Sequence, residues 1–313
     1  MTEVPIGVIL SAGKGSRIDP FHTRFPKPML PILNRPIIEH QIDQMKTVGI
    51  REVVIVVGHL KEHIIHHLGD GSRFGVAVKY VEQKSTLGIA HAVMQLEPHI
   101  DRHFLLYLGD ILYVPRDLAS MVQIANRYDA VVVLAAKREP DRAAISKNFL
   151  IDTDIRGRVT RVVEKPRYLI NDLKGCGIYY FAPEFFDAVR QTPRTALRDE
   201  YEITTAIQIS IDMGHPVHVA PVVEWDLNVT FPGDILVGNQ YWRERAGLDN
   251  VVDPTAEIHR AARLHRAVIG PRAKILHPIA LDNVVVLADT VVDAERDLTS
   301  AVIYENHLIE CAP

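Results

Sequence analysis

An α/β fold, with a mostly parallel sheet flanked by helices and a short β-helix after it, is what this sequence predicts. Two observations carry that expectation: short β-branched apolar runs alternate with helical periodicities over the first 247 residues, and a six-residue apolar grid replaces them afterwards. The run Ile6 to Leu10 suits a strand buried on both faces, as parallel-sheet strands are. Pro36 can take the first position of a helix in which Ile37, Ile38, Ile42, Met45 and Val48 recur before Gly49. Val53 to Val57 predicts a second buried strand, followed by a short helix and the turn Gly69-Asp70-Gly71-Ser72. Val76 to Val81 alternates as a third strand, Ile89 to Leu96 reads as helical, and Phe104 to Leu108 is a fourth strand ending at Gly109-Asp110. Such alternation implies right-handed crossovers with helices on both faces, and ligands then bind beyond the carboxyl ends of the strands.

Pro232 to Ala246 reads as a helix with Gly247 as its stop, so a first domain is expected over 1–247 and a second over 248–313. In the second, Val252, Ile258, Leu264, Ile275, Leu281 and Leu287 lie on the six-residue grid, with Ala261, Ala267 and Val284 three residues after grid positions and a skip at Gly270. That period suits a β-helix whose flat faces each present one inward aliphatic residue. It resembles the hexapeptide repeats of left-handed β-helices. About three coils fit, and repeat arrays need stacked neighbours and capped ends, so the stack is expected to lean on the first domain or on another subunit of a homo-oligomer.

Composition permits a sizeable enzyme. The 313 residues are 47% hydrophobic, and 35 Lys plus Arg against 39 Asp plus Glu leave a net charge of -4, which argues against a general nucleic-acid binder. Cys176 and Cys311 have no CxxC spacing, so neither a disulfide framework nor a structural zinc site is expected. No apolar run approaches the ~18 residues of a membrane span, and no membrane partner is expected. A cytoplasmic protein fits these features.

The chemistry begins after the first strand. In Ser11-Ala12-Gly13-Lys14-Gly15-Ser16-Arg17 the glycines permit a tight turn whose N–H groups approach phosphate oxygens, and Lys14, Arg17 and Lys27 surround it with cations. The dinucleotide-binding pattern is not met, because Ile18 stands where a third glycine belongs, and no Gly-Lys-Ser/Thr triplet closes a phosphate loop. Taken with Pro20, Thr23 and the Pro-Lys-x-Met-Leu-Pro-Ile stretch ending at Ile32, the segment resembles the signature of the sugar-1-phosphate nucleotidylyltransferases, whose catalytic domain is Rossmann-like. The resemblance implies that Leu10, Ala12, Gly13, Gly15, Ser16 and Arg17 cradle a nucleoside triphosphate, with dTTP or UTP favoured.

Further matches follow in order. Gln83 and Leu87-Gly88-Ile89-Ala90-His91-Ala92 are similar to the family's base-reading segment; a primary amide offers donor and acceptor to a base edge, and Gly88 permits close approach. Leu108-Gly109-Asp110 resembles the metal-binding Gly-Asp, although Ile111 stands where the family usually has Asn. A carboxylate past a buried strand suits Mg²⁺ but also serves ordinary turns. Val163-Glu164-Lys165-Pro166 resembles the Glu-Lys-Pro in which Lys meets the sugar phosphate and Glu the sugar hydroxyls. Gly177-Ile178-Tyr179 and Glu200-Tyr201-Glu202-Ile203-Thr204 extend the match, so Gly109, Glu164, Lys165, Gly177 and Glu202 are candidates for the sugar 1-phosphate. A second Mg²⁺ ligand is expected at Asp226 or Asn228.

The resemblance thus implies Mg²⁺-dependent nucleotidyl transfer in which Arg17, Lys27, Asp110 and Lys165 carry the catalysis. Two alternatives stand beside it: a non-catalytic scaffold relative, and a transferase using a non-sugar phosphate or phosphonate acceptor. One cluster lies outside the match. His59, His63 and His67 recur at i, i+4 and i+8, with His66 adjacent, which suits either a transition-metal site or the exposed face of a short helix.

Overall fold

The computed structural model describes residues 3–196 and 199–311. The chain forms two compact units, one comprising residues up to Gly13 with Gln41–Asp226, the other Lys14–His40 with Leu227 onward. The division therefore differs from a single boundary after 247. Segment 14–40 and the helix α8 (Pro232–Arg245) belong with the C-terminal strands rather than with the sheet that precedes them.

The first unit is built on a nine-stranded sheet. Strand β1 (Ile6–Ser11) lies between β2 (Glu52–Val57) and a later strand, Phe104–Leu108, parallel to both, and β3 (Ala77–Glu82) extends the parallel set beyond β2. Ile6, Val8 and Ile9 are all buried, as a strand covered on both faces requires. Phe104–Leu108 is β4; it is followed by β5 (Ile111–Pro115), which lies outside the main sheet, and by β6 (Val132–Arg138). The hairpin β7 (Phe149–Thr153) and β8 (Val159–Glu164) forms one edge, and β9 (Leu173–Phe181) runs antiparallel to β4, β6 and β7. β10 (Val217–Ala220) pairs parallel with β6. The sheet is thus parallel in its N-terminal half and mixed beyond β4. Its core gathers Val8, Val56, Phe104, Leu106, Phe181 and Ile207, each fully buried side chain contributing roughly 1.5–3 kcal/mol.

Helix α1 (Ile37–Thr47) begins one residue later than expected, because Pro36 pairs instead through the short antiparallel bridge of Pro31–Ile32 with Arg35–Pro36. The other helices are α2 (Lys61–Leu68), α3 (Ile89–Met94), α4 (Ala119–Tyr128), α5 (Arg142–Lys147), α6 (Phe185–Arg190) and α7 (Ile203–Asp212). In α8, Pro232 does hold the first position, and the chain turns away at Gly247 with φ 66°.

The second unit carries a parallel coil. Val251, Val268, Val285 and Val302 stack in register, as do Leu264, Leu281 and Leu298, each 17 residues apart. A third ladder stacks Ile258, Ile275 and Val292. Three hexapeptides would make 18, so one corner of every turn is a residue short. The skip at Gly270 is the first instance, and the inward residues of the next turn are Val286, Val292 and Leu298 rather than a continuation through Leu287. At Gly270 a Cβ would come within 2.6 Å of the Ala288 nitrogen, which explains the glycine at that corner. The last turn is closed by an antiparallel strand, His307–Glu310, against Leu298–Tyr304.

Candidate active site

In the first unit the carboxyl ends of β1 and β4 lie side by side, and the Gly109 N–H donates to the Leu10 carbonyl at 2.9 Å. Beyond β1, the Ala12 carbonyl accepts from the His59 N–H at 3.4 Å, and Gly58 has no room for a side chain against Ala12. A Cβ at Gly13 would meet nothing within 4 Å, so the protein's own packing does not demand glycine there. The turn carrying Asp110 is clamped from α1, where the Gln41 amide donates to both Leu108 O and Ile111 O at 2.9 Å. Ile111 is buried, so the residue that departs from the family pattern is a packing residue and not a polar contact. The Tyr113 hydroxyl in turn donates to Gly177 O at 2.9 Å. Gly177 has φ 73°, and any Cβ there would press on that hydroxyl, which accounts for the glycine in two independent ways.

The candidate base-reading residues lie at the end of β3 and the start of α3. Gly88 has φ 107°, and a Cβ would reach 2.5 Å from Tyr201 O. The close approach that requires this glycine is therefore to the Tyr201 backbone, which also bonds Leu87 O through its N–H (2.7 Å) and accepts from Ala90 N (2.9 Å). Gln83 is 5% exposed, and its amide nitrogen lies 2.8 Å from His91 Nδ1.

At the end of β8, Glu164 Oε2 accepts from the buried Thr204 hydroxyl at 3.2 Å. Lys165 adopts a left-handed backbone, φ 43°, with its N–H on Asn148 O at 2.8 Å; an L-residue is held there at a cost of about 1–3 kcal/mol. Glu202 is buried at the start of α7. Burial, with Glu164 and Glu202 nearby, holds the Tyr179 hydroxyl far above its ordinary pKa. Burial likewise raises Tyr113, and the charges of Asp110 and Asp226 add to it.

Asp226 has an unexpected setting. Its side chain is 3% exposed; Lys174 Nζ is 2.9 Å from both of its oxygens and Lys137 Nζ is 3.0 Å from Oδ1. Glu139 completes the cluster, 2.8 Å from Lys137 and 3.4 Å from Lys174. Lys137 and Lys174 are direct cross-strand partners on β6 and β9, a like-charge juxtaposition that two carboxylates offset. Burial alone would lower the Lys137 pKa and raise that of Glu139; their pairing, joined by Asp226 for Lys137 and by the Asp141 N–H and Lys174 for Glu139, outweighs it, raising Lys137 and lowering Glu139. The signal for this cluster was a lysine inside each of two otherwise buried strands. Only their register, which periodicity does not give, shows that they face each other.

The remaining candidates are in the second unit. Gly15 has φ 62°, and the Lys27 side chain runs across it, so a Cβ would lie 3.0 Å from Lys27 Cγ. Lys27 is buried, whereas Ser16, Arg17 and Asn228 are exposed. The segment is stapled within its own unit: Asn239 accepts from Leu33 N (2.8 Å) and donates to Pro31 O (3.0 Å), Asn34 donates to Ile269 O (2.8 Å), and Phe21 and Phe25 pack on Tyr304.

As to metal, Asp110 supplies a hard oxygen donor, and Mg²⁺ needs only one or two carboxylates besides substrate phosphates. Asp226 is committed to two ammonium groups through both oxygens, so its donor capacity is largely spent. No set of three or more His, Cys, Asp or Glu among the described residues is arranged to hold a metal, the histidines of α2 included. No described helix is long and apolar enough to cross a membrane.

The nucleotidyl transferase family model matches residues 6–243. This chain belongs to that family. The family's members among its relatives include a low-salt glycan biosynthesis nucleotidyltransferase of Haloferax volcanii, 33% identical over 82% of this chain and 73% of the relative. A UTP–glucose-1-phosphate uridylyltransferase of the same organism is 35% identical over 72% and 92%, and a glucose-1-phosphate thymidylyltransferase of Streptomyces antibioticus is 30% identical over 86% and 74%. A solved UDP-glucose pyrophosphorylase, crystallised with UDP-glucose, shares the fold with a TM-score of 0.67 at 21% identity over 78% of this chain and all of that one. The protein is thus a nucleotidyltransferase of mixed α/β fold, as its motifs imply.

Proposed function

We propose that this nucleotidyltransferase moves a nucleoside monophosphate from dTTP or UTP to a sugar 1-phosphate, releasing pyrophosphate. The observation that carries the reading is the apposition of Leu10, Gly109 and the Asp110 turn at adjoining parallel strand ends, where α/β sheets bind ligands. The uridylyl- and thymidylyltransferase relatives support the choice of substrates.

In this reading an oxygen of the sugar 1-phosphate, largely dianionic near pH 7 because its second pKa is about 6, attacks the α-phosphorus. The bond to the β-phosphate oxygen breaks in line, and pyrophosphate departs with the electron pair. No protein base is needed. Lys165 holds the attacking phosphate, and Glu164, oriented by Thr204, accepts from sugar hydroxyls with Glu202 beside it in function. Arg17 and Lys27 meet the charge that grows on the leaving group, and Gln83 with Gly88 binds the base. Asp110 would hold Mg²⁺, which would supply charge neutralisation on the triphosphate. Pyrophosphate release across a matrix of nucleoside triphosphates and sugar 1-phosphates tests the reading. Release with UTP or dTTP supports it, and silence from folded protein supplied with Mg²⁺ overturns it.

A further inference from the structure

Between α5 and the segment 169–172 lies a cavity of about 390 Å³, at the small end of the range that ligand pockets occupy. Most of its polar lining is already engaged. The Glu139 carboxylate meets Lys137 Nζ at 2.8 Å and Lys174 Nζ at 3.4 Å, and accepts from the Asp141 N–H at 3.2 Å. Asp172 pairs with Arg138. The Asn171 side chain donates to Ile151 O at 3.0 Å and accepts from the Leu173 N–H at 2.9 Å, so both ends of the amide serve the fold. Arg142 differs. It is exposed, and among the described residues no hydrogen bond or ion pair reaches its guanidinium. The apolar part of the lining is aliphatic: Ile145 is buried, Leu169 is half-buried and Ile170 is 66% exposed.

A free guanidinium matches a carboxylate or phosphate through two parallel hydrogen bonds, and aliphatic walls favour an apolar body. The carboxylates of the lining do not oppose such an anion, because each is neutralised by cations bonded to it. Arg142 is the surplus charge. Both walls of the cavity also lead to Lys165: α5 is followed by Asn148, whose carbonyl accepts from the Lys165 N–H at 2.8 Å, and the segment 169–172 begins four residues after that lysine.

We propose that this cavity is a second ligand site, separate from the site of nucleotidyl transfer, which takes a small organic anion: Arg142 meets its carboxylate or phosphate, while Ile145, Leu169 and Ile170 meet an aliphatic body. The occupant lies against the two segments that lead to Lys165, so occupancy is felt at the acceptor phosphate. That consequence alone rests on the reaction proposed above.

Four probes test the site on the full chain: hexanoate and hexyl phosphate carry both features, hexanol lacks the anion, and inorganic phosphate lacks the body. Titrations followed by ligand-observed NMR are expected to show saturable binding of the first two, with dissociation constants on the order of 1 mM. The other two should bind far more weakly. Whichever of hexanoate and hexyl phosphate binds tighter shows whether the site is built for a carboxylate or a phosphate. Arg142→Met keeps the aliphatic stem and should weaken both roughly 10- to 100-fold, the contribution of a charge-assisted pair. Ile170→Asp, at an exposed position, sets a carboxylate against the body and should weaken them too, whereas Lys165→Met should leave their binding as it was. Absence of saturable binding, equal binding by Arg142→Met, or a loss in Lys165→Met as large as that in Arg142→Met overturns the inference, the last because the anion then lies in the acceptor site. In steady-state kinetics, saturating hexanoate should change the KM for glucose 1-phosphate by about fivefold or more and leave that for UTP alone. An unchanged KM overturns the link to Lys165. Binding that depends on Arg142 in protein that turns over no sugar 1-phosphate overturns the proposed reaction and leaves the site standing.

Discussion

The two units hold their candidate residues in different ways. In the first, Asp110 and Gln83 lie just past strand ends and Gly177 at an irregularity within β9, and all three are met by polar side chains reaching across the fold: Gln41 to the Asp110 turn, Tyr113 to Gly177, His91 to Gln83. In the second, the loop bearing Arg17 and Lys27 has almost no regular structure beyond short 3₁₀ turns. Its order comes from what lies far along the chain, since Phe21 and Phe25 pack on Tyr304 and Leu33 is bonded to Asn239. A phosphate-binding loop is often credited to its glycines. Here the glycines permit the path, while an aliphatic coil and one helix of the same unit keep it.

That contrast is open to attack from either side, and the largest effect falls on the first unit. Asp110→Ala should lower turnover at least ~10³-fold, as loss of a charge-neutralising centre does, while thermal unfolding stays close to wild type because Gln41 still clamps the turn. Pyrophosphate release and calorimetry measure the two. Lys174→Met leaves Asp226 and Glu139 buried with only Lys137, and should cost roughly 3–5 kcal/mol of stability. Adding Asp226→Asn should recover much of it if Asp226 acts as counter-ion, and a double variant no better than the single would restore Asp226 as a candidate metal ligand.

In the second unit, Asn239→Ala removes an acceptor from Leu33, which sits at φ 48°, and donors from Pro31 and Ile235. A buried set of this kind is worth roughly 2–3 kcal/mol. If the loop takes its order from its own unit, the variant should also raise the KM for nucleoside triphosphate more than that for sugar phosphate. Steady-state kinetics with each substrate varied in turn would show equal rises if the anchor has no bearing on the cations.

Much of the first unit was legible because its chemistry is local. A buried β-branched run ending in Gly-Asp gives both a strand and the position of a carboxylate, and β1, β2 and β4 fall within a residue of where periodicity puts them. Gln83, Gly88, Glu164 and Lys165 are singled out by their motifs, but the packing reason for Gly88 is not: its neighbour is Tyr201, more than a hundred residues away. The Lys137, Lys174, Glu139 and Asp226 cluster was invisible for the same cause, since cross-strand register is a long-range property. The grouping of residues 14–40 with α8 and the coil was not legible because they carry no repeat, and their bonds to α8 and the coil are made by single side chains such as Asn34 and Asn239.

The coil offers the smallest and sharpest test of how its unit is built. A grid of six with one skip reads as a damaged hexapeptide repeat, and on that view Gly270 is a tolerated irregularity. The stacking of Val251, Val268, Val285 and Val302 says otherwise, because the shortened corner recurs in register and the turns could not stack at 17 residues without it. Gly270→Ala forces a methyl to 2.6 Å from the Ala288 nitrogen and 2.8 Å from the Leu287 carbonyl carbon, backbone atoms of the next turn that cannot swing aside. Overpacking of this kind costs roughly 1–3 kcal/mol. Leu276→Ala, at an exposed site on the same turn, should cost much less. Chemical denaturation of the two variants side by side gives the answer: equal midpoints would mean that the corner yields and the repeat is loose, while a lower midpoint for Gly270→Ala alone would fix the short corner as the element that sets the spacing of the turns.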